Sequence, residues 1–350
     1  MTGIPVPELV TNDVDELKRY VAAHAESLGI PREHYLALFD RIRTDRVDRT
    51  GPGSWVHEWS AAARILEAEG KPLEASQHYN FARFPYVDGP ARQRALDNAV
   101  RTVDRWRADV PGVERLDLSL LGGAVGCWTH GLSTVENKPL LLITGGIVSI
   151  KEQWAPVLLA AAGLGFAGVV TEMPGVGQNT LRYTPDSWRL LPALLDALAD
   201  RAQVGHTVLM AMSFSGQLAL RASVEDDRIA GIVTAGAPVR GVFTDPVWQA
   251  GLPKVTVDTL AHMASVSPAQ LPAVLPGWAL SDEQLAAVGV PVHYVASSRD
   301  EIIPRGDLDL LRAHLSELRV LEHDDVHGAP RHAAETRQWM VDAVHALAPS

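Results

Sequence analysis

Short apolar segments that alternate with helical segments constrain the fold of this chain more than any other feature. They are "PLLLITGG", "FAGVVTEMPG", "HTVLMAM", "IAGIVTAGAP" and "VPVHYVAS". Their nearly continuous apolar character is typical of strands in a parallel sheet that helices cover on both faces. Before them, "VERLDLSLLGGAVGCWTHG" has the pattern of two strands joined by a glycine turn, which indicates an antiparallel start. We therefore predict an α/β fold with a mostly parallel sheet flanked by helices.

The periodicity of the apolar residues changes near residue 112. Earlier segments such as "SWVHEWSAAARILEAEG" place apolar residues three and four positions apart, which is typical of amphipathic helices. We predict an N-terminal helical domain over residues 1–112 and a sheet domain over residues 113–350. A longer helical insertion at 240–289 is expected to form part of a lid.

Charge and hydropathy narrow the classes of partner. The chain has 42 Asp and Glu residues against 31 Lys and Arg, a formal net charge of −11. Nucleic acids and anionic membranes both require a basic face, so we expect neither as a partner. The start, "MTGIPVPELVTNDVDELKRY", does not have the pattern of a signal peptide, and the run "APVLLAAAGLGFAGVV" is too short to span a bilayer. We expect a cytoplasmic protein.

Cofactor and metal motifs are weak in this sequence. Gly175 and Gly177 resemble the start of a dinucleotide fingerprint, but Thr180 stands where its third glycine belongs. The segment "HDDVH" offers two His and two Asp, but it follows a strand on a loop and no His-Glu-x-x-His occurs elsewhere. The single cysteine, Cys127, excludes an internal disulfide and a thiolate zinc cluster. We expect no cofactor and no metal.

The segment "HTVLMAMSFSGQLALRAS" has the pattern of a strand that turns sharply into a helix around a nucleophilic serine. Such a turn requires small residues two positions before and two positions after the nucleophile. Ser213 satisfies this requirement, with Ala211 before it and Ser215 after it. For Ser215 as nucleophile, the second flanking residue would be the bulky Gln217. We predict that Ser213 is the nucleophile.

A nucleophilic serine needs a base and an orienting acid. Where the serine lies on such a strand-to-helix turn, the three residues occur in the chain order Ser, Asp, His. In "VPVHYVASSRDEIIPRGDL" a strand is followed by Asp300, which we predict to be the acid. The adjacent Glu301 is expected to point elsewhere if Asp300 points inward. Asp245, which follows the strand "IAGIVTAGAPV" by a few residues, is an alternative acid.

The base is expected between the last strand, "LRVLEHD", and the last helix, "HAAETRQWMVDAVHAL". His323 stands at the strand end and His332 at the beginning of the helix, whereas His327 lies on the loop between them and is followed by a glycine. We predict His327 as the base, with His332 as the second candidate.

Acyl chemistry also needs donors for the negative charge that develops on the carbonyl oxygen. The strand "LLLIT" ends in the pair Gly145-Gly146, which allows close approach of the backbone to a substrate. We predict that the backbone amides of Ile147 and Phe214 form this oxyanion hole.

Residues 113–345 resemble an α/β-hydrolase, and the segments "SWVHEW", "GGIVSIKEQW" and "EMPGVGQN" narrow the resemblance. The chain is similar to FrsA-like esterases and to the 2,6-dihydroxypseudooxynicotine hydrolase group. The matching positions are Gly145, Gly146, Lys151, Glu152 and Glu172 through Gly177, with Glu172 in place of the family's Asp and Gln153 in place of its second carboxylate. The resemblance implies an α/β-hydrolase fold and adds Glu152 to the candidate substrate-binding residues.

These features favour a serine hydrolase that cleaves an ester, a thioester or an activated carbon–carbon bond of a small apolar or aromatic acyl substrate. An acyltransferase with the same residues and an inactive hydrolase-fold binding protein are the alternatives. The aromatic cluster Trp55, Trp59, Tyr79, Phe81, Phe84 and Tyr86 is most simply the core of the helical domain. We also predict that this domain caps the active site; the alternative is that it mediates a homodimer.

Overall fold

The computed structural model describes residues 12–349, which fall into two units. The division lies between Trp106 and Arg107, in the last turn of a helix that ends at Ala108. The change of apolar periodicity near residue 112 coincides with the start of the first strand, at Val113, and not with this division.

The first unit is helical. Its helices are α1 (Val14–Ser27), α2 (Arg32–Phe39), α3 (Trp55–Ala68), α4 (Pro72–Arg83) and α5 (Pro90–Ala108). The first and third helices begin at side-chain caps: Asp13 accepts hydrogen bonds from two amides of α1, and Ser54 accepts one from α3. These caps satisfy amides that have no partner within the helix.

Aromatic side chains form the core of this unit. Trp55 and Trp59 are fully buried, with ring centroids 6.0 Å apart. Trp59 also packs on Phe81 at 5.0 Å and on Phe39 at 6.1 Å. Of the aromatic residues predicted as the core of this unit, Trp55, Trp59, Tyr79, Phe81 and Phe84 are buried, whereas Tyr86 is only half-buried. The role of the unit as a cap stays a prediction.

The second unit contains one eight-stranded sheet. Its strands are β1 (Val113–Leu120), β2 (Gly123–His130), β3 (Pro139–Thr144), β4 (Ala167–Thr171), β5 (Gln203–Met212), β6 (Ile229–Ala235), β7 (Val292–Ser297) and β8 (Leu318–His323), in the order β1-β2-β4-β3-β5-β6-β7-β8. β2 is antiparallel to both β1 and β4, and every other pairing is parallel. The predicted mostly parallel sheet with an antiparallel start is confirmed.

Helices connect and flank these strands. They are α6 (Val157–Gly163), α7 (Leu190–Leu198), α8 (Phe214–Ser223), α9 (Gly241–Thr244), α10 (Pro246–Ala250), α11 (Lys254–Ala264), α12 (Leu271–Val274), α13 (Asp282–Ala286), α14 (Arg305–His314) and α15 (Ala333–Ala346). Short 3₁₀ turns lie at Lys151–Gln153, Ser187–Arg189, Leu275–Trp278 and Pro330–His332. Within residues 12–349, none of the helices combines the length and apolar character that a bilayer crossing requires.

Helices α9 to α13 form the predicted insertion between β6 and β7, and aromatic contacts anchor it to the sheet unit. Trp278 stacks on Tyr183, with centroids 4.9 Å apart and planes 13° from parallel. Phe243 meets Phe214 edge to face at 6.0 Å. Gln217 donates a hydrogen bond to the Trp278 carbonyl at 2.8 Å. The insertion therefore packs on α8, the helix that follows the predicted nucleophile.

Candidate active site

The predicted site residues follow neighbouring parallel strands, at the edge where those strands end. Gly145 and Gly146 follow β3, Ser213 follows β5, Asp300 lies on the loop after β7, and His327 lies on the loop after β8. The strands β3, β5, β6, β7 and β8 are adjacent in this order. The carboxyl edge of an open parallel sheet is the usual place of a ligand site, because the loops there converge.

Ser213 occupies a sharp turn between β5 and α8. Its backbone has φ 56° and ψ −128°, a region that a residue with a side chain rarely adopts. The amide of Ser213 donates to the carbonyl of Ala235 at 2.8 Å, which fixes the turn against β6. Ser213 is half-buried between the buried residues Met212 and Phe214. The turn therefore presents a single hydroxyl at the sheet edge.

Ser215, unlike Ser213, bonds through its hydroxyl to backbone carbonyls. Its side chain is fully buried, and its hydroxyl donates to the carbonyls of Met212 at 2.9 Å and Thr144 at 3.2 Å. These bonds join the turn to the end of β3. Of the two serines, Ser213 is the one that contacts a histidine.

His327 lies between Ser213 and Asp300. Its Nε2 is 3.0 Å from Ser213 Oγ, and its Nδ1 is 2.8 Å from Asp300 Oδ2. The other carboxylate oxygen of Asp300 accepts from the amides of Ile302 at 2.9 Å and Ile303 at 2.8 Å. Asp300 is thus held by its own loop, and the carboxylate fixes the ring so that Nδ1 carries the proton and Nε2 faces the serine.

The surroundings of His327 favour its charged form. Burial opposes that form, but the charge and hydrogen bond of Asp300, together with the charge of Glu301, outweigh burial and raise the pKa of His327. An imidazolium formed by taking a proton from Ser213 is therefore stabilised where it forms.

Gly236 makes room for the imidazole, a function that sequence reasoning missed. It follows β6 with φ +60°, and a Cβ atom there would lie 2.6 Å from His327 Cε1 and 3.6 Å from Asp300 Oδ2. A side chain at this position would displace the ring. The only sequence signal is a glycine directly after a strand in "IAGIVTAGAP".

The glycine pair after β3 lies against Ser213. A Cβ atom on Gly146 would be 3.1 Å from Ser213 Cβ and 3.6 Å from its Oγ. At Gly145 a Cβ atom would clash with the Ser149 side chain. Within residues 12–349, the amides of Ile147 and Phe214 donate no hydrogen bond to another protein group. Both are therefore available as donors beside Ser213.

Within residues 12–349, no hydrogen bond joins Glu152 to His327 or Ser213. Glu152 Oε1 accepts from Lys151 Nζ at 2.8 Å and from Trp128 Nε1 at 3.1 Å. Lys151 also lies 3.5 Å from Glu172 Oε2. We call Lys151, Glu152 and Glu172 the buried ion cluster, since all three are nearly or fully inaccessible to solvent. The resemblance identified the position of Glu152 but not the direction of its side chain.

The alternative acid also has a structural role. The carboxylate of Asp245 accepts from the amides of Val247 and Trp248, and so caps α10. No hydrogen bond joins it to His327 within the described chain.

The two remaining histidine candidates pack on each other. The rings of His323 and His332 stack at 4.3 Å and 13° from parallel, and His323 Nε2 lies 3.1 Å from Thr336 Oγ1. Glu335 Oε2 lies 4.0 Å from His323 Nδ1 and 3.7 Å from His332 Nδ1. A metal ion binds an imidazole nitrogen in the plane of the ring, so rings this close to parallel do not share one ion as they stand.

The fold and the Ser–His–Asp arrangement are those of an α/β-hydrolase enzyme. The family model for FrsA-like esterases matches residues 44–314, and the chain belongs to this family of hydrolases. Esterase FrsA of Vibrio cholerae serotype O1 is 26% identical over 284 residues, which cover 74% of this chain and 68% of that protein. The predicted resemblance is confirmed.

Solved structures share this fold. The chain is similar to AbyA5 at 49% identity and a TM-score of 0.89, over 98% of this chain and 96% of that one. It is also similar to the 2,6-dihydroxy-pseudo-oxynicotine hydrolase, with a TM-score of 0.75 and 17% identity over 94% and 95% of the two chains. The second similarity shows the fold alone.

Proposed function

We propose that this protein is a serine hydrolase that cleaves an ester, thioester or activated carbon–carbon bond through an acyl-enzyme on Ser213. The observation that carries the proposal is the pair of contacts made by His327, at 3.0 Å to Ser213 Oγ and 2.8 Å to Asp300 Oδ2. Membership of an esterase family supports a small-molecule substrate.

In the first half-reaction, Ser213 Oγ attacks the carbonyl carbon of the substrate while His327 Nε2 takes the hydroxyl proton. Asp300 stabilises the resulting imidazolium and holds its ring. The tetrahedral intermediate then breaks the bond to the leaving group, which receives the proton from Nε2. The acyl group remains as an ester on Ser213.

In the second half-reaction, water attacks this ester and gives its proton to His327, which returns it to Ser213 Oγ as the acid departs. The negative oxygen of both intermediates is stabilised by the amides of Ile147 and Phe214. Their unused N–H groups and the close approach of Gly146 to Ser213 support this role.

A fluorophosphonate probe, followed by peptide mapping of the full chain, tests the nucleophile. We expect one adduct, on Ser213, and we expect Ser213→Ala to abolish labelling and to lower kcat/KM roughly a millionfold. An adduct on Ser215, or on no serine, would contradict the proposal.

A second experiment identifies the type of bond that is cleaved and whether water or another acceptor takes the acyl group. The enzyme is incubated with p-nitrophenyl esters, thioesters and β-diketones, each with and without an alcohol or amine acceptor. A hydrolase releases the free acid at the same rate whether or not the acceptor is present. Acylated acceptor as the main product would instead indicate an acyltransferase.

A further inference from the structure

Two neighbouring carboxylates on the loop after β7 contact the same histidine. Asp300 Oδ2 lies 2.8 Å from His327 Nδ1, at the ring. Glu301 Oε2 accepts the backbone N–H of the same residue at 3.0 Å. Glu301, expected to point elsewhere if Asp300 points inward, contacts the main chain of His327 and not its ring.

The segment that carries His327 has no regular secondary structure to fix it. Residues 324–329 lie between the end of β8 and the turn Pro330–His332. Asp325 anchors one part of the segment, because its carboxylate accepts from the amides of Val326 and Arg331. At His327 itself, the backbone bond to Glu301 joins the segment to the loop after β7.

We propose that Glu301 is a positioning residue for His327, which fixes the backbone of the base while Asp300 fixes its ring. The proposal rests on the proposed function, in which His327 is the base. With both contacts, the Cα position and the ring orientation of His327 are each held by the loop after β7. A displacement of about 1 Å of a catalytic group can cost a hundredfold in rate, so such a constraint has a measurable effect.

The charge of Glu301 acts on the same residue. The charges that act on His327 are those of Asp300 and Glu301, from the loop after β7. Two further pairs, Asp325 with Arg331 and the exposed Arg299 with Asp324, involve residues of its own segment. Against the opposing effect of burial, Asp300 and then Glu301 raise the pKa of His327. The neutral ring is the active form of the base, so removal of the Glu301 charge extends activity to lower pH.

Two substitutions separate the hydrogen bond from the charge. Glu301→Gln keeps an oxygen that can accept from the His327 amide but removes the charge, whereas Glu301→Ala removes both. Asp324→Asn is the matched control, since it removes one charge from an exposed side chain on the segment of His327 that pairs with Arg299 on the loop after β7. The measurement is kcat/KM against pH for each full-length variant, with a p-nitrophenyl ester as probe substrate.

For Glu301→Gln, we expect the plateau of kcat/KM to stay within about threefold of the wild type and its acid limb to move about half a pH unit lower. For Glu301→Ala, we expect the same shift and a plateau lowered about tenfold to a hundredfold, mainly in kcat. Asp324→Asn should change neither quantity. If Glu301→Ala fails to fold, Glu301→Leu, which keeps most of the side-chain volume but has no acceptor, replaces it in the same measurement.

Wild-type pH profiles for both Glu301 variants would overturn the proposal. It would also be overturned if both variants lowered the melting temperature but left the acid limb unmoved, since that outcome indicates a merely structural role. Failure of the proposed function has a different signature, because wild-type Ser213 would then not be labelled by the fluorophosphonate probe.

Discussion

The candidate active site and the buried ion cluster use charged side chains in the same unit in different ways. In the site, His327 keeps 17% of its side chain exposed and Ser213 is half-buried, so a substrate can reach both. In the cluster, Lys151 and Glu172 are fully inaccessible. Lys151 Nζ is surrounded by Glu152 at 2.8 Å, Gln178 at 2.9 Å and Glu172 at 3.5 Å.

The difference shows which charged groups can do chemistry on a substrate. The carboxylate of Glu172 accepts from the amides of Lys151 and Gln178, and burial, against the attraction of Lys151, raises its pKa to about 7. Glu152 Oε2 has no hydrogen-bond partner within residues 12–349 and no access to solvent. A shifted pKa and a family motif therefore occur in the buried ion cluster as well as in the candidate active site. The two differ in solvent access and in the contacts that their side chains make.

The largest effect is expected at the site. Asp300→Asn should lower kcat by about four orders of magnitude, because an amide donating to Nδ1 favours the imidazole tautomer whose Nε2 proton prevents it from accepting from Ser213. The melting temperature should change little, since the oxygen that accepts from the amides of Ile302 and Ile303 remains. Steady-state kinetics and thermal unfolding measure the two quantities.

Asp245→Asn is the control for this substitution, because Asp245 caps α10 and, among the described residues, has no hydrogen bond to His327. We expect its kcat to match the wild type. If Asp245→Asn loses activity while Asp300→Asn keeps it, the acid has been assigned to the wrong carboxylate.

The opposite result is expected at the buried ion cluster. Lys151→Met leaves the buried carboxylates of Glu152 and Glu172 without their cation, and the break of a buried pair costs about 3–5 kcal/mol of unfolding free energy. The folded fraction should keep kcat/KM within about tenfold, because the site residues retain their contacts. Denaturant unfolding and active-site titration measure stability and activity separately.

Lys138→Met provides the matched control on an exposed pair, since Lys138 bonds Glu136 with 43% and 67% of the two side chains exposed. Exposed pairs contribute about 0–1 kcal/mol, so its unfolding free energy should barely change. A Lys151→Met variant with wild-type stability and a millionfold loss of activity would place the cluster in the catalytic machinery.

The parallel strands and the positions of the candidate site residues could be predicted from the sequence. The apolar runs predicted the parallel strands because burial on both faces leaves few positions for polar residues. Chain order and strand ends then placed Ser213, Asp300 and His327 at one edge of the sheet. These are local properties of the chain, combined with the rule that carboxyl ends of parallel strands share an edge.

The remainder depends on tertiary contacts. Gly236 matters only because the ring of His327, nearly a hundred residues later in the chain, packs against it. The side-chain directions of Glu301 and Glu152 follow from a backbone amide and a buried lysine that become neighbours on folding. Residue type gives the chemistry a position can perform, but it does not give the direction of a long side chain.

The smallest effect is expected at Ser215, two residues from the nucleophile. Ser215→Ala removes a buried hydroxyl that donates to the carbonyls of Met212 and Thr144, which costs about 1 kcal/mol, or about 3 °C in Tm. The contacts of Ser213 with His327 are not affected, so kcat/KM should stay within about threefold and fluorophosphonate labelling should be retained. Ser223→Ala, which removes a half-buried hydroxyl bonded to Leu220 within α8, is the control for loss of a hydroxyl without any link to β3. A loss of activity at Ser215→Ala as large as that of Ser213→Ala would mean that the turn depends on both serines, and the division of roles between them would be wrong.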